Sequence, residues 1–169
     1  MPSKKDLSEQ DICTKYITPA LERAGWDKMK QIRQEVTFTA GRIVVRGKTI
    51  KRKASKRADY LLYHKNNIPI AVIEAKDNNH NMGDGMQQAL GYAEILDIPV
   101  AISSNGDGFL IHDKTNQSDQ LEREVGLDHF PTPQELWNIY KTYKGIETKI
   151  QEEIVQEDYY FDPAYKKTP

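Results

Sequence analysis

Apolar and polar positions along this chain alternate in short blocks that predict strands and helices in mixed order. From Leu7 to Trp26 the apolar residues Ile12, Tyr16 and Ile17 recur at helical spacing, with Ser8 and Asp11 forming a capping-box-like start and Gly25 the end. Pro19 breaks or kinks that helix, or else Thr18-Pro19 serves as N-cap and first residue of a second one. Gln31 to Thr39 alternates in part and predicts a first strand, turned at Gly41, with Ile43 to Ile50 continuing as a hairpin. Asp59–His64 and Ile70–Lys76 are two apolar runs around Asn66-Asn67, residues that tolerate the positive φ of a tight hairpin turn. A turn centred there sets Tyr63 opposite Ile70, Leu61 opposite Val72 and Asp59 opposite Glu74.

Further along, Asp84 reads as the N-cap of a helix running to about Asp97, with Gln87 completing the cap and Met86, Ala89, Leu90, Ala93 and Leu96 as its apolar stripe. Ile98–Ser103 follows at once, and strand, helix, strand in that order predicts a right-handed crossover to a parallel strand. Phe109–His112 is predicted as the last, antiparallel edge strand, and Asp113–Asp128 as an exposed loop. Thr132-Pro133-Gln134-Glu135 is a strong helix start. Beyond Gly145, Ile146, Ile150 and Ile154 form a stripe that must bury against something. The final segment, DYYFDPAYKKTP, has no obvious closing element and looks like one that docks onto a following domain. The fold class is therefore α/β, a mixed central sheet flanked by helices.

Composition narrows the picture only modestly. With 169 residues, 38% hydrophobic and 29% charged, the chain is one globular domain's worth. No apolar run approaches the ~20 residues that cross a membrane. MPSKKDLSEQD has no apolar segment after its lysines, so it does not read as a signal peptide, and the cytoplasm is the expected compartment. One cysteine, Cys13, excludes an intramolecular disulfide and any multi-cysteine zinc site.

Charge placement says more than the net charge of −1. Side chains alternate along a strand, so Asp59, Glu74 and Lys76 gather on one face at one end of the hairpin. Two adjacent carboxylates repel, and a hard divalent cation with a lysine alongside satisfies them; a frayed strand end with ordinary surface charges is the plain alternative. Just before Asp59, Arg42, Arg46, Lys48, Lys51, Arg52, Lys53, Lys56 and Arg57 form a run without a single acid. It reads as a solvated loop, or as an arm that draws a polyanion to a metal site. Gln88 and Tyr92 stand one above the other on the helix, as surface polar groups or as a pair facing the acids. Glu22 reads as an exposed helix carboxylate, with a third metal-site acid the alternative, and Glu35 as an edge charge or a polar group near the cluster.

Together these residues resemble a known family. An acid, fourteen intervening residues and then Glu74-Ala75-Lys76 resembles the core of the PD-(D/E)xK nuclease superfamily. Gln88-x-x-x-Tyr92 is similar to the Q-x-x-x-Y motif of the branch that includes RecB-like nucleases and type I restriction enzymes. AVIEAKDNN, GDGMQQALGYAE, SSNGDGF and FPTPQELW, in that order, resemble the N-terminal nuclease domain of the type I restriction enzyme R subunit, the motor subunit. Ala58 replaces the proline of the superfamily's name. The resemblance implies a restriction-endonuclease-like αβββαβ core over residues 1–130 and a helical extension over 131–169, leading toward a motor domain. It implies Mg²⁺ held by Asp59, Glu74 and the Ala75 backbone carbonyl, with Lys76 orienting or helping to deprotonate the attacking water. Gln88 and Tyr92 would position phosphate or water. Double-stranded DNA is then the substrate, and the methylation and specificity subunits are partners through the full-length chain. ATP would serve only the motor domains, since no Walker A motif is present here. A stand-alone repair-type nuclease and a non-catalytic DNA-binding or docking module are the competing expectations.

Overall fold

The computed structural model describes residues 3–39, 42–43, 56–65, 68–118 and 120–157, with backbone alone at 42, 43 and 157. Its centre is a sheet whose strands run β1 (Ile32–Thr39), β2 (Arg42–Ile43), β3 (Lys56–Tyr63), β4 (Pro69–Ala75), β5 (Val100–Ser104), β6 (Gly108–Asp113) and β7 (Glu122–Gly126). In space the seven strands lie in the order β2-β1-β3-β4-β5-β6-β7. Only β4 and β5 are parallel, joined by α3 (Met86–Leu96); the other neighbours are antiparallel. This is the expected crossover. The middle strands are buried on both faces, which is why PIAVIEA and VAISS are almost continuously apolar.

At the N-terminus α1 (Glu9–Ile12), a π-helical turn (Cys13–Ile17) and α2 (Thr18–Arg23) form one rod. Ser8 caps it by accepting from the Asp11 N–H at 3.1 Å. Pro19 does not break the rod; it stands in the first turn of α2, as the second-helix reading has it, but Thr18 is itself helical rather than an N-cap. Lacking an N–H for the carbonyl four residues back, proline is accommodated by a wider turn in which the Thr18 N–H reaches Cys13, five residues back. The Thr18 hydroxyl bonds the Tyr60 hydroxyl at 2.7 Å, tying the rod to β3.

The hairpin register differs from the expectation at its turn. The His64 N–H donates to the Ile68 carbonyl at 2.9 Å, so three residues separate the closing pair, and Tyr63 lies opposite Pro69 rather than Ile70. A bulge at Leu62/Tyr63 absorbs the odd residue and restores Leu61 opposite Val72. Asn66 and Asn67 themselves lie outside the described residues, as do Arg46, Lys48, Lys51, Arg52 and Lys53, most of the Ile43–Ile50 strand, and residues 158–169.

Three more expectations are corrected. Gly85, not Asp84, is the N-cap of α3; the Asp84 carboxylate instead accepts from the Asn81 N–H at 3.0 Å. A seventh strand, β7, lies within the segment read as loop and makes β6 an inner strand. Its sequence, EREVG, is mostly charged because it is a wet edge, where charge discourages further strand pairing. The isoleucine stripe is only partly buried among the described residues: Ile146 packs against the core, whereas Ile150 and Ile154 on α5 (Lys149–Glu157) are 69% and 51% exposed. The helix docks through polar groups instead, with the Trp137 Nε1–H donating to Glu152 at 2.8 Å and Gln156 bonding His64 at 3.1 Å.

α4 (Pro133–Lys144) starts at the expected cap, Thr132, which accepts from the Glu135 N–H at 3.2 Å. Read from sequence as the beginning of an extension, it buries Leu136, Trp137 and Tyr140 in the same core as the sheet, and Trp137 stacks on His64 at 3.6 Å between ring centroids. Among the described residues no helix is long and apolar enough to cross a membrane. Removing a buried tryptophan of this kind costs about 3–5 kcal/mol. Trp137→Ala is therefore expected to lower the unfolding free energy by that amount in urea titrations; a loss under about 1 kcal/mol would place α4 outside the core.

Candidate active site

β3 and β4 keep their ladder through Tyr60–Ile73 and then exchange side chains for backbone bonds. The Asp59 N–H donates to Glu74 Oε2 at 2.8 Å, and the Ala75 N–H donates to Asp59 Oδ2 at 2.8 Å. Each carboxylate thus bonds the neighbouring strand, and the two acids interlock where the hairpin would otherwise continue. Oδ1 of Asp59 and Oε1 of Glu74 have no hydrogen-bond partner among the described residues. The sequence pairing of these acids is realised, with side chains in place of ladder bonds.

The pair is electrostatically strained. Glu74 is only 3% exposed, and burial, then the Asp59 charge, push its carboxyl up to about 8. Asp59 is also raised by burial, against the Ala75 N–H and the Arg57 and Lys76 charges, which lower it. Lys76 continues from β4, its backbone pinned by the Ser104 carbonyl at 2.9 Å. A third acid enters this field from α1. Glu9 is raised by burial and next by Asp59, with Lys76 opposing.

Sequence reasoning missed Glu9 because it reads as a routine acid in the first turn of a helix, and only packing brings that turn to the sheet. Glu22, the candidate it considered instead, sits exposed on α2 and is not among the charges that dominate at Asp59 or Glu74. Glu35 does act on Asp59 and pairs with Arg57 at 3.5 Å.

The N-terminus of α3 is pressed against Glu74. A Cβ on Gly85 would meet Ser103 Oγ at 3.0 Å and the Glu74 Cβ at 3.2 Å, so only glycine fits without displacement. Ser103 Oγ accepts from the Gly85 N–H at 2.9 Å and donates to the Met82 carbonyl at 2.8 Å, fixing the helix start against β5. Gln88 Nε2 then donates to the Tyr92 hydroxyl at 2.5 Å, and Tyr92 is buried edge-on to Phe38 at 5.0 Å. Burial raises the Tyr92 phenol; the Gln88 bond opposes this, and the Glu74 and Asp59 charges add to it. The glutamine–tyrosine pair is therefore within the field of the acids. Of the basic run, Lys56 and Arg57 are exposed on β3, while Arg42 is described only as backbone in β2.

The donor set is all oxygen, with two free carboxylate oxygens beside the Ala75 peptide. Among the described residues no three His, Cys, Asp or Glu side chains gather into a metal cage. Mg²⁺ asks for less: one or two carboxylates, with water completing its shell. The residues present fit such an ion better than a zinc or a larger, fully caged cation.

Comparison with known proteins identifies the family. Residues 43–120 match a family profile described as the N terminus of the type I restriction enzyme R protein. Over 162 residues the chain is 48% identical to the type I restriction enzyme EcoAI endonuclease subunit of Escherichia coli, covering 95% of this chain and 20% of that protein. A solved fragment from Vibrio vulnificus YJ016, described as belonging to an HsdR subunit of a type I restriction enzyme, superposes with a TM-score of 0.68. It is 42% identical and covers 83% of this chain and 27% of that one. The chain thus spans about a fifth of the length of the curated relative it matches. It is a member of the family of type I restriction enzyme R protein N-terminal domains.

Proposed function

We propose that this chain is the DNA-cleaving domain of a type I restriction enzyme R subunit and hydrolyses phosphodiester bonds of double-stranded DNA with Mg²⁺. The observation that carries this reading is the interlocked Asp59–Glu74 pair beside Lys76, two acids whose burial raises both carboxyls and which a cation would relieve. Asp59, Glu74 and the Ala75 carbonyl would hold the ion. When bound, Mg²⁺ polarises the scissile phosphodiester and offsets charge on the leaving oxygen. The Lys76 ammonium orients the attacking water and balances the negative charge that builds on phosphorus oxygens during attack. Gln88 and Tyr92, locked together by their hydrogen bond, position a phosphate oxygen or water at the same cluster. Glu9 adds a third carboxylate to the field that attracts the ion.

In this reading the exposed Lys56 and Arg57, with the rest of the basic run, contact DNA backbone. The rest of the R subunit would supply ATP-driven translocation, and the methylation and specificity subunits would choose the DNA, so cleavage in the full complex follows translocation. The relatives' names support this assembly; the chain's own residues account for the hydrolytic step.

Asp59→Ala and Lys76→Ala are expected to reduce nicking of supercoiled plasmid by at least ~100-fold, the scale of losing a principal electrostatic or general-base group, with far-ultraviolet circular dichroism unchanged. Wild-type nicking rates in either variant would refute the assignment. Calorimetric titration tests the site without the motor: Mg²⁺ binds the unaltered chain, and Asp59→Ala abolishes the heat.

The raised carboxyls set a pH dependence. Protons bind the folded pair more tightly than the unfolded one, so this stabilisation is complete below the ordinary carboxylate range and is lost as pH rises through about 8. In EDTA the melting temperature is expected to fall between about pH 5 and pH 9, and Glu74→Gln flattens that fall. An equal slope in Glu74→Gln would show that the pair does not share a retained proton.

A further inference from the structure

Glu35 sits in the middle of β1 with φ of 53°, in the left-handed region that glycine enters freely and a glutamate only against steric strain. No inserted residue accounts for it. The β1–β3 register is the same on both sides, with Gln34 opposite Tyr60 and Val36 opposite Ala58, so the strain falls on the position across from Asp59. The other non-glycine residue with positive φ among those described, Asp97, closes α3, where that conformation is ordinary.

The Glu35 side chain leads to Arg57, with Oε1 3.5 Å from Nη1. Arg57 is two residues before Asp59 on the same strand and so shares its face. Its charge acts on Asp59 more strongly than that of Lys76. Arg57 therefore flanks the acid from β3 while Lys76 flanks it from the end of β4. An ion pair with side chains 66% and 55% exposed adds little to stability, which makes it a poor reason to keep a strained strand. Backbone outliers of this kind persist where the surroundings demand them, most often at functional sites. An arginine fork also donates to carboxylate and phosphate oxygens by the same geometry.

We propose that Glu35 is a positioning residue whose carboxylate holds the Arg57 guanidinium beside Asp59 in the place that a backbone phosphate of duplex DNA takes on binding. The arginine is then already placed when DNA arrives, and the exchange of carboxylate for phosphate releases Glu35 to solvent. This rests on the nuclease reading above and names the contact that seats the duplex next to the acids.

A double-mutant cycle tests it, with the affinity of the 169-residue chain for a fluorescein-labelled duplex read by anisotropy and Ca²⁺ replacing Mg²⁺ so that no cleavage occurs. Glu35→Gln is expected to tighten binding ~2- to 5-fold, the scale of one exposed ion pair, and Arg57→Ala to weaken it. In the Arg57→Ala background Glu35→Gln changes nothing. Tightening that persists without Arg57 would mean Glu35 repels DNA by charge alone and would overturn the proposal; so would an unchanged affinity in Glu35→Gln, or no duplex binding by any variant. Glu35→Gly removes strain and carboxylate together and raises the melting temperature, whereas a lower one counts against a strained backbone. Because the readout is independent of cleavage, loss of the catalytic reading and loss of this one are told apart.

Discussion

Two hydrogen bonds of 2.8 Å, from the Asp59 N–H to Glu74 and from the Ala75 N–H to Asp59, hold the features of this molecule that bear on chemistry in one place. They replace a rung of the β3–β4 ladder with side chains. Their geometry demands that the strands stay in register as far as Tyr60–Ile73, that β5 pin Lys76, and that α3 begin on a glycine small enough to approach Glu74. Placing two acids side by side at a buried strand end is unfavourable by itself, since desolvation and mutual repulsion both act against the charged forms. The surrounding sheet bears that penalty, and the cation site proposed above would give it a use.

The helices are arranged accordingly. The N-terminal rod accommodates Pro19 through a π turn and delivers Glu9 to the end of the sheet where the acids lie. From the other direction α3 brings Gln88 and Tyr92, joined by their own bond, into the same field. Arg57 and Lys76 bracket Asp59 from two different strands. Elements separated in sequence thus converge on one edge of a buried hairpin, and none of them supplies a complete site alone.

Much of this was legible before any coordinates. Strand and helix periodicities gave the order of elements, the crossover and the parallel β4–β5 pair, because these follow from local patterning and chain connectivity. The placement of Asp59 beside Glu74 followed from a hairpin turn centred on Asn66-Asn67, and it holds even though three residues rather than two separate the closing pair, because a bulge at Leu62/Tyr63 returned the register. What escaped was decided by tertiary contact. Glu9 looks like any first-turn acid until the rod packs. Asp84 has the chemistry of a cap, yet close approach to Glu74 and Ser103 gives that position to Gly85. β7 carries the charges of a loop because an edge strand is half in water, and the isoleucines of α5 face outward because Glu152 and Gln156 do the docking.

The most direct test of the interlocked pair is crystallographic: Mn²⁺ soaked in place of Mg²⁺ and located by its anomalous signal. The account predicts one strong peak within bonding reach, ~2.1 Å for a hard cation to oxygen, of a carboxylate oxygen of both Asp59 and Glu74. A peak bound elsewhere, or none at this pair in crystals where Mn²⁺ occupies other sites, would contradict it.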